Sequence, residues 1–148
     1  MKIYLAADHR GFELKNKLVN YLSQKHETED LGATQFIDND DFVDYAVDVG
    51  KKISQNMQDK GIVICGSGAG VEVASNKVKG IRCSLGQSKE QVQKAREADD
   101  INVLAIASDF TDFEKAKELA DAFLDTQYIN SENHQRRIDK IKEFESNE

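Results

Sequence analysis

The sequence predicts an α/β protein in which one parallel sheet is covered by helices on both faces, and three observations carry that prediction. The short apolar run at 62–65 lacks polar alternation, the mark of a strand buried on both faces, and further short strand segments stand at 2–7, 81–85 and 103–107. The segments between them carry apolar residues at helical spacing, and strands that alternate with helices imply right-handed crossovers. The chain of 148 residues, 39% of them hydrophobic, is long enough to bury a core of its own, so 1–148 reads as a single domain.

Residues 2–7 (KIYLAA) form a first strand that ends in the polar loop Asp8-His9-Arg10-Gly11, after which Phe12, Leu14, Leu18, Val19 and Leu22 recur at helical spacing. Residues 27–31 form a weaker second strand, stopped at Gly32. The acidic stretch Asp38-Asn39-Asp40-Asp41 is placed to cap a helix running through Phe42, Tyr45, Ala46, Val49 and Ile53, with Phe42 and Tyr45 read as core residues. The third strand, 62–65, empties into a glycine-rich turn; the helix after Gly70 is broken at Gly80. A fourth strand at 81–85, a polar helix over 88–98, a fifth strand at 103–107 and a helix over 113–124 complete the alternation. The remainder, 131–145, is a terminal helix too polar for the main core, and therefore a candidate for packing on a second subunit.

Charge and cysteine usage narrow the function. A net charge of −7 argues against non-specific nucleic-acid binding while leaving room for a local basic pocket for a small anion. Cys65 and Cys83 have neither metal-type nor disulfide-scaffold spacing, which suits a reducing compartment. No signal peptide and no membrane-length apolar run is visible, so the expected setting is the cytoplasm.

The chemistry is expected at Cys65-Gly66-Ser67-Gly68-Ala69-Gly70, where a strand is aimed at a thiol among glycines. Backbone N–H groups of such a turn and of the first helical residues point at whatever sits above the thiol, a nest for an oxyanion or a phosphate. Their partial positive charge favours the thiolate of Cys65. Other glycine-loop chemistries lack their partners. A phosphate-binding P-loop needs Lys and then Ser or Thr after the last glycine, where this chain has Val71-Glu72. A dinucleotide fold wants its glycines after the first strand, with an acid at the end of the next, and a cysteine phosphatase loop wants an arginine where Val71 stands. What remains suits proton abstraction α to a carbonyl, with a thiolate base and an N–H cradle for the enediolate. In open α/β sheets ligands sit beyond the carboxyl ends of the strands, which places Asp8 and His9 across the same pocket.

These motifs in order, namely Asp8-His9, residues 65–70, Ala74-Ser75-Asn76-Lys77, Gly80-Ile81-Arg82, Asn102-Val103-Leu104 and His134-Gln135-Arg136-Arg137, resemble ribose-5-phosphate isomerase B and its sister galactose-6-phosphate isomerase subunits over nearly the whole chain. The resemblance implies a Rossmann-like three-layer sandwich with a five-stranded parallel sheet and an extra C-terminal helix. It implies a homodimer, or a tetramer built from dimers, with active sites at the interface and neither metal nor organic cofactor. It gives the C2/C1 proton transfer to Cys65 and the enediolate cradle to Gly66, Ser67, Gly68, Ala69 and Gly70. Sugar contacts fall to Asp8 and His9, and phosphate binding to arginines of the terminal helix reaching across from the partner. The chain departs from the family pattern at three places: Ala98 stands where the family keeps its ring-opening histidine, Asp99 replaces the neighbouring asparagine, and Asn133 replaces one phosphate arginine. Arg137 keeps its place, with Arg136 as an added cation.

The reading that results is an aldose–ketose isomerase of a phosphorylated sugar, with ribose 5-phosphate and ribulose 5-phosphate as the leading pair. Ring opening is left open among His9, His134 and Asp99, with use of the small open-chain fraction of the sugar as the remaining alternative. Two other readings stand beside it: the same chemistry on a 6-phosphohexose of the galactose or allose type, and a non-catalytic sugar-phosphate-binding paralogue. Plainer roles are also available. Cys83 inside a strand reads as an inert core thiol, Asp8 as a helix cap, His9 as a surface residue, Glu72 as a first-turn acid complementing its helix dipole, and Arg136 and Arg137 as a solvated face.

Overall fold

The computed structural model describes residues 1–147. In chain order the elements are β1 (Lys2–Ala7), α1 (Phe12–Leu22), β2 (Glu27–Asp30), α2 (Phe42–Gln55), β3 (Lys60–Cys65), α3 (Ala69–Ser75), β4 (Cys83–Leu85), α4 (Lys89–Asp99), β5 (Val103–Ala107), α5 (Phe113–Asp125) and α6 (Glu132–Ser146). The five strands form one parallel sheet in the order β2-β1-β3-β5-β4, as the α/β reading requires.

The three central strands are apolar throughout because each of their faces meets a different core. Ile3, Leu5, Ile62, Ile64, Leu104 and Ile106 pack with Leu18 and Leu22 of α1, Val92 of α4, and Leu119 and Phe123 of α5. The alternate residues, Tyr4, Ala6, Val63, Cys65, Val103 and Ala105, pack with Ala46, Val49 and Ile53 of α2 and with Val71 and Ala74 of α3. Side chains along a strand alternate between faces, so an unbroken apolar run divides into two half-cores and yields three layers. Helix α6 lies outside both half-cores, packing on α4 and burying Ile138 while Ile141 and Phe144 stay exposed.

Where elements are shorter than their apolar runs, side chains have taken over the backbone's hydrogen bonds. The expected fourth strand at 81–85 begins only at Cys83. Upstream of it, Arg82 N–H donates to Asn102 Oδ1 at 2.8 Å, while Asn102 Nδ2 donates to the Gly80 carbonyl at 2.9 Å. Asn76, past the end of α3, brackets Cys83 on the strand's outer edge by accepting from its N–H (2.8 Å) and donating to its carbonyl (2.9 Å). An amide side chain thus stands in for a missing neighbour strand. The expected acidic cap of α2 does not form, since Asp41 at the N-cap makes no side-chain cap bond. Lys15 of α1 is fully buried and spans to Asp30 Oδ2 (2.6 Å) and the Ala33 carbonyl (2.7 Å), holding the chain just after β2.

The chain reverses direction between β1 and β3, which makes their carboxyl ends the switch point where α/β sheets bind ligands. Asn102, only 2% exposed, is the polar group on which the approach to β4 depends. Asn102→Ala leaves a backbone donor and an acceptor unpaired, so it is expected to lower the unfolding free energy by about 1–3 kcal/mol, read as a lower urea midpoint at unchanged slope. An unchanged midpoint would show that solvent replaces the amide at no cost.

Candidate active site

Three loops meet at the carboxyl ends of β1, β3 and β5. Asp8 N–H donates to the Ile64 carbonyl at 3.3 Å, joining the first loop to the second. The Cys65 carbonyl accepts from Ser108 N–H at 2.9 Å, and Ser108 Oγ shares its proton between that carbonyl (3.1 Å) and the Arg10 carbonyl (2.9 Å). Asp109 N–H donates to the Gly66 carbonyl at 3.0 Å, and the Asp109 carboxylate pairs with the Arg10 guanidinium. The main chain of Cys65 is therefore held from both sides, with the residue only 4% exposed on the α2/α3 face of the sheet.

Beyond Cys65 the three glycines do different things. Gly68 has φ +75°, a left-handed conformation that favours glycine, and a Cβ there would also overlap Leu85. Gly66 and Gly70 instead make room for protein: a Cβ would come within 3.0 Å of the Asp109 carboxylate at Gly66 and 2.8 Å of the Phe42 ring at Gly70. Helix α3 starts at Ala69, two residues before the expected position, with Ala69 N–H bonded to Ser67 Oγ at 3.3 Å. The N–H groups of Ser67, Gly68, Gly70 and Val71 find no protein acceptor among the described residues, which leaves them as donors for an anion over the thiol. Glu72 does more than complement a dipole, because its Oε1 accepts from Leu85 N–H at 2.9 Å and ties α3 to β4.

On the β1 side a chain of four side chains comes together. Asp8 Oδ1 accepts from Arg10 N–H (2.9 Å) and Gly11 N–H (3.2 Å), so that one oxygen shapes the turn into α1. Burial pushes the Asp8 carboxyl above its ordinary value, opposed in part by those two donors. His9 presents both its N–H (2.7 Å) and Nδ1 (2.9 Å) to Asp40 Oδ1, while Tyr45 OH donates to Asp40 Oδ2 at 2.9 Å. Burial alone would raise the Asp40 carboxyl, but the hydrogen bonds from His9 and Tyr45 outweigh it and hold the pKa below the usual carboxylate range. The Tyr45 hydroxyl, desolvated and bonded to that carboxylate, is pushed up to about 12. Asp8, His9 and Asp40 place one donor atom each within 4.8 Å of one another, a set able to hold a divalent cation, although Asp40 is already bonded through both oxygens.

Asp40 and Tyr45 were not among the expected site residues. Read as a helix cap and a core residue, they serve as the support of His9, and no local pattern announces it because Asp40 lies 31 residues from His9. Arg10, Ser108 and Asp109 went unrecognised for the same reason. Cys83 is the inert core thiol expected, buried in β4 with its pKa raised by burial.

The remaining expected residues lie elsewhere in the chain. Asp99 ends α4 at the amino-terminal side of the sheet, exposed, with its carbonyl accepting from Arg82 Nε at 3.0 Å. Helix α5 returns the chain to that same side, where Ile129 N–H meets the Glu97 carbonyl at 3.0 Å just before α6. Asn133 accepts from Arg136 at 2.8 Å, and Arg137 is exposed with no hydrogen-bond or ion-pair partner among the described residues. The structure thus brings Asp8, His9 and residues 65–70 together and leaves Asp99, Asn133 and Arg137 at the opposite end.

Residues 3–141 match the family model described as ribose/galactose isomerase. The chain is 42% identical over 146 residues to the probable ribose-5-phosphate isomerase B of Mycoplasma genitalium, covering 97% of this chain and 95% of that one. It is 36% identical over 146 residues to ribose-5-phosphate isomerase B of Mycobacterium tuberculosis, covering 98% and 90%. Among solved structures, the Mycoplasma genitalium ribose-5-phosphate isomerase B with bound ribulose-5-phosphate is similar with a TM-score of 0.95 and 38% identity, covering 99% of this chain and 97% of that one. Among the described residues, no helix is long and apolar enough to cross a membrane.

The depressed Asp40 carboxyl gives a signed pH dependence. Its folded pKa lies below its unfolded one, so the ionised form contributes stability above the unfolded value, and that contribution is lost as pH falls through the folded value. Asp40→Asn is therefore expected to unfold at lower urea than the parent at neutral pH, with the gap closing as pH falls through and below the ordinary carboxylate range. A gap that stays constant over that range would mean that Asp40 does not carry its charge into the fold.

Proposed function

Because the chain belongs to the ribose/galactose isomerase family, whose members interconvert aldoses and ketoses, we propose that it isomerises ribose 5-phosphate and ribulose 5-phosphate with Cys65 as the base. The observation that carries this reading is a buried thiol whose main chain is held by Ser108, beneath four backbone N–H groups that have no protein acceptor. In the open-chain aldose, the Cys65 thiolate takes the C2 proton; the electron pair left on carbon forms the C1–C2 double bond and the carbonyl pair moves onto O1. The resulting enediolate sits against the N–H groups of Ser67, Gly68, Gly70 and Val71 with the Ser67 hydroxyl beside them, donors already oriented and needing no reorganisation as charge develops. Return of the proton to C1, with transfer of a proton from O2 to O1, gives the ketose.

The phosphate needs cations that one chain does not place near Cys65. Exposed Arg137, with Arg136 beside it, lies at the far end of the sheet, and the second copy of a two-fold dimer would bring it to the substrate. In that arrangement residues 1–148 act as one isomerase domain whose α6 serves the partner's site, with the apolar residues Ile141 and Phe144 exposed on the same helix. Both cysteines are free thiols, which fits a reducing, cytoplasmic setting. The same chemistry on a 6-phosphohexose is the second reading, favoured by Ala98 in place of a histidine.

Steady-state assays with ribose 5-phosphate, allose 6-phosphate and galactose 6-phosphate test the substrate. Cys65→Ala is expected to lower kcat by about 10²–10⁴-fold on the substrate that turns over, with little change in KM. A folded parent protein that binds a sugar phosphate and turns over none of them would make it a binding protein instead. Arg137→Ala should weaken KM by roughly 10-fold or more, the loss of one charge-assisted contact. Co-expressing Cys65→Ala with Arg137→Ala should then recover about a quarter of the parent activity, since half the dimers are mixed and each has one intact site. No recovery would place both residues in sites made by a single chain.

A further inference from the structure

Resting on the isomerase reading, we propose that His9, oriented by Asp40 and Tyr45, is the group that opens the sugar ring, with Asp40 and Tyr45 as positioning residues. Ribose 5-phosphate in water is mostly a furanose, and Cys65 can take the C2 proton usefully only from the open aldehyde. Ring opening needs a group that removes the proton of the anomeric hydroxyl and delivers one to the ring oxygen. The chain has three histidines. His26 lies in the turn that follows α1, its N–H on the Leu22 carbonyl, on the amino-terminal side of the sheet. His134 begins α6 on that same side, with Nδ1 2.8 Å from the Ile129 carbonyl. Only His9 stands at the mouth: Ala7 pairs with Ile64 in the ladder and Asp8 N–H bonds the Ile64 carbonyl, so the chain leaves β1 beside Cys65.

The geometry around His9 is that of a proton carrier. Nδ1 faces Asp40 at 2.9 Å, which makes Nδ1–H the donor and leaves the lone pair on Nε2. Nε2 has no protein partner among the described residues, and 23% of the side chain is open to solvent. Asp40 is held in turn by the His9 N–H and the Tyr45 hydroxyl, so the carboxylate cannot swing away and stabilises the imidazolium when it forms. The step balances within the substrate. Nε2 takes the proton of the C1 hydroxyl, the O1 electron pair forms the C1=O1 bond, the C1–O4 bond breaks onto O4, and the imidazolium gives its proton to O4. Both oxygens are bonded to C1, so one nitrogen serves both.

Ribulose 5-phosphate provides the test, because the hydroxyl through which it would close a five-membered ring carries the phosphate and the ketose stays open. Deuterium wash-in at its C1 in heavy water reports enediolate formation alone, whereas turnover of ribose 5-phosphate requires ring opening as well. For His9→Gln, the ratio of ribose 5-phosphate turnover to ribulose 5-phosphate wash-in is expected to fall about 10²-fold or more relative to the parent. Asp40→Asn should lower the same ratio through kcat and not KM, and Tyr45→Phe should lower it less; melting curves confirm that each variant is folded. Equal falls in both rates, or a rise in KM for both sugars at a constant ratio, would overturn ring opening by His9 and leave the isomerase reading standing. Parent protein that shows neither turnover nor wash-in would overturn both.

Discussion

Everything at the mouth of the sheet depends on what holds the Cys65 carbonyl. A buried carbonyl at a strand end still needs a donor, and the ladder runs one residue past β5 to supply it. Here Ser108 supplies its N–H and shares its hydroxyl, and the same hydroxyl reaches the Arg10 carbonyl of the first loop. One residue of the β5 loop thus fixes the spacing of three strand ends. The thiol is carried on a backbone with no freedom to retreat, and the glycine turn that follows leaves the sheet at one set angle. A base and an oxyanion cradle work only when their separation is settled before the substrate arrives.

Four acids at the mouth of the sheet are committed to protein partners. The chain carries a net charge of −7, a poor background for binding a dianion. Yet Asp8 is turned onto two backbone N–H groups, Asp40 onto His9 and Tyr45, Asp109 onto Arg10, and Glu72 onto the Leu85 N–H. The backbone donors left over in the turn after Cys65 are those of Ser67, Gly68, Gly70 and Val71. Local polarity is thereby set by which hydrogen bonds are already taken, more than by the sum of charges.

The core and part of the site are legible in the sequence for one reason: their signals are local. The runs in β1, β3 and β5 are apolar on both alternations because two half-cores require it, and the Cys65–Gly70 turn announces itself within six residues. The failures are non-local. The run at 81–85 looks like a full strand, but Asn102 and Asn76, distant in sequence, take its first hydrogen bonds. The neighbours a Cβ would meet at Gly66 and Gly70 are Asp109 in one case and Phe42 in the other, both distant in sequence. Asp38 to Asp41 looks like a helix cap, and the carboxylate that matters has turned back across 31 residues to an imidazole.

Crossover topology also explains why the residues of the site fall into two groups. Every helix that follows a parallel strand returns to the amino-terminal end, so a side chain late in α4 or early in α6 lies a full strand length from the carboxyl ends of the strands. With six residues in β3 that length is about 20 Å at roughly 3.3 Å per residue, well beyond the reach of an arginine side chain. Lengthening a loop could close the gap, but every loop at the mouth is already tied to its neighbours through Ser108, Asp109, Asp8 and Arg10. A second copy related by a two-fold axis needs no change in the fold, because it sets one chain's amino-terminal end against the other's carboxyl-terminal end twice at once. Under the proposed reading, the polarity that makes α6 useless to its own Cys65 makes it available to a partner's.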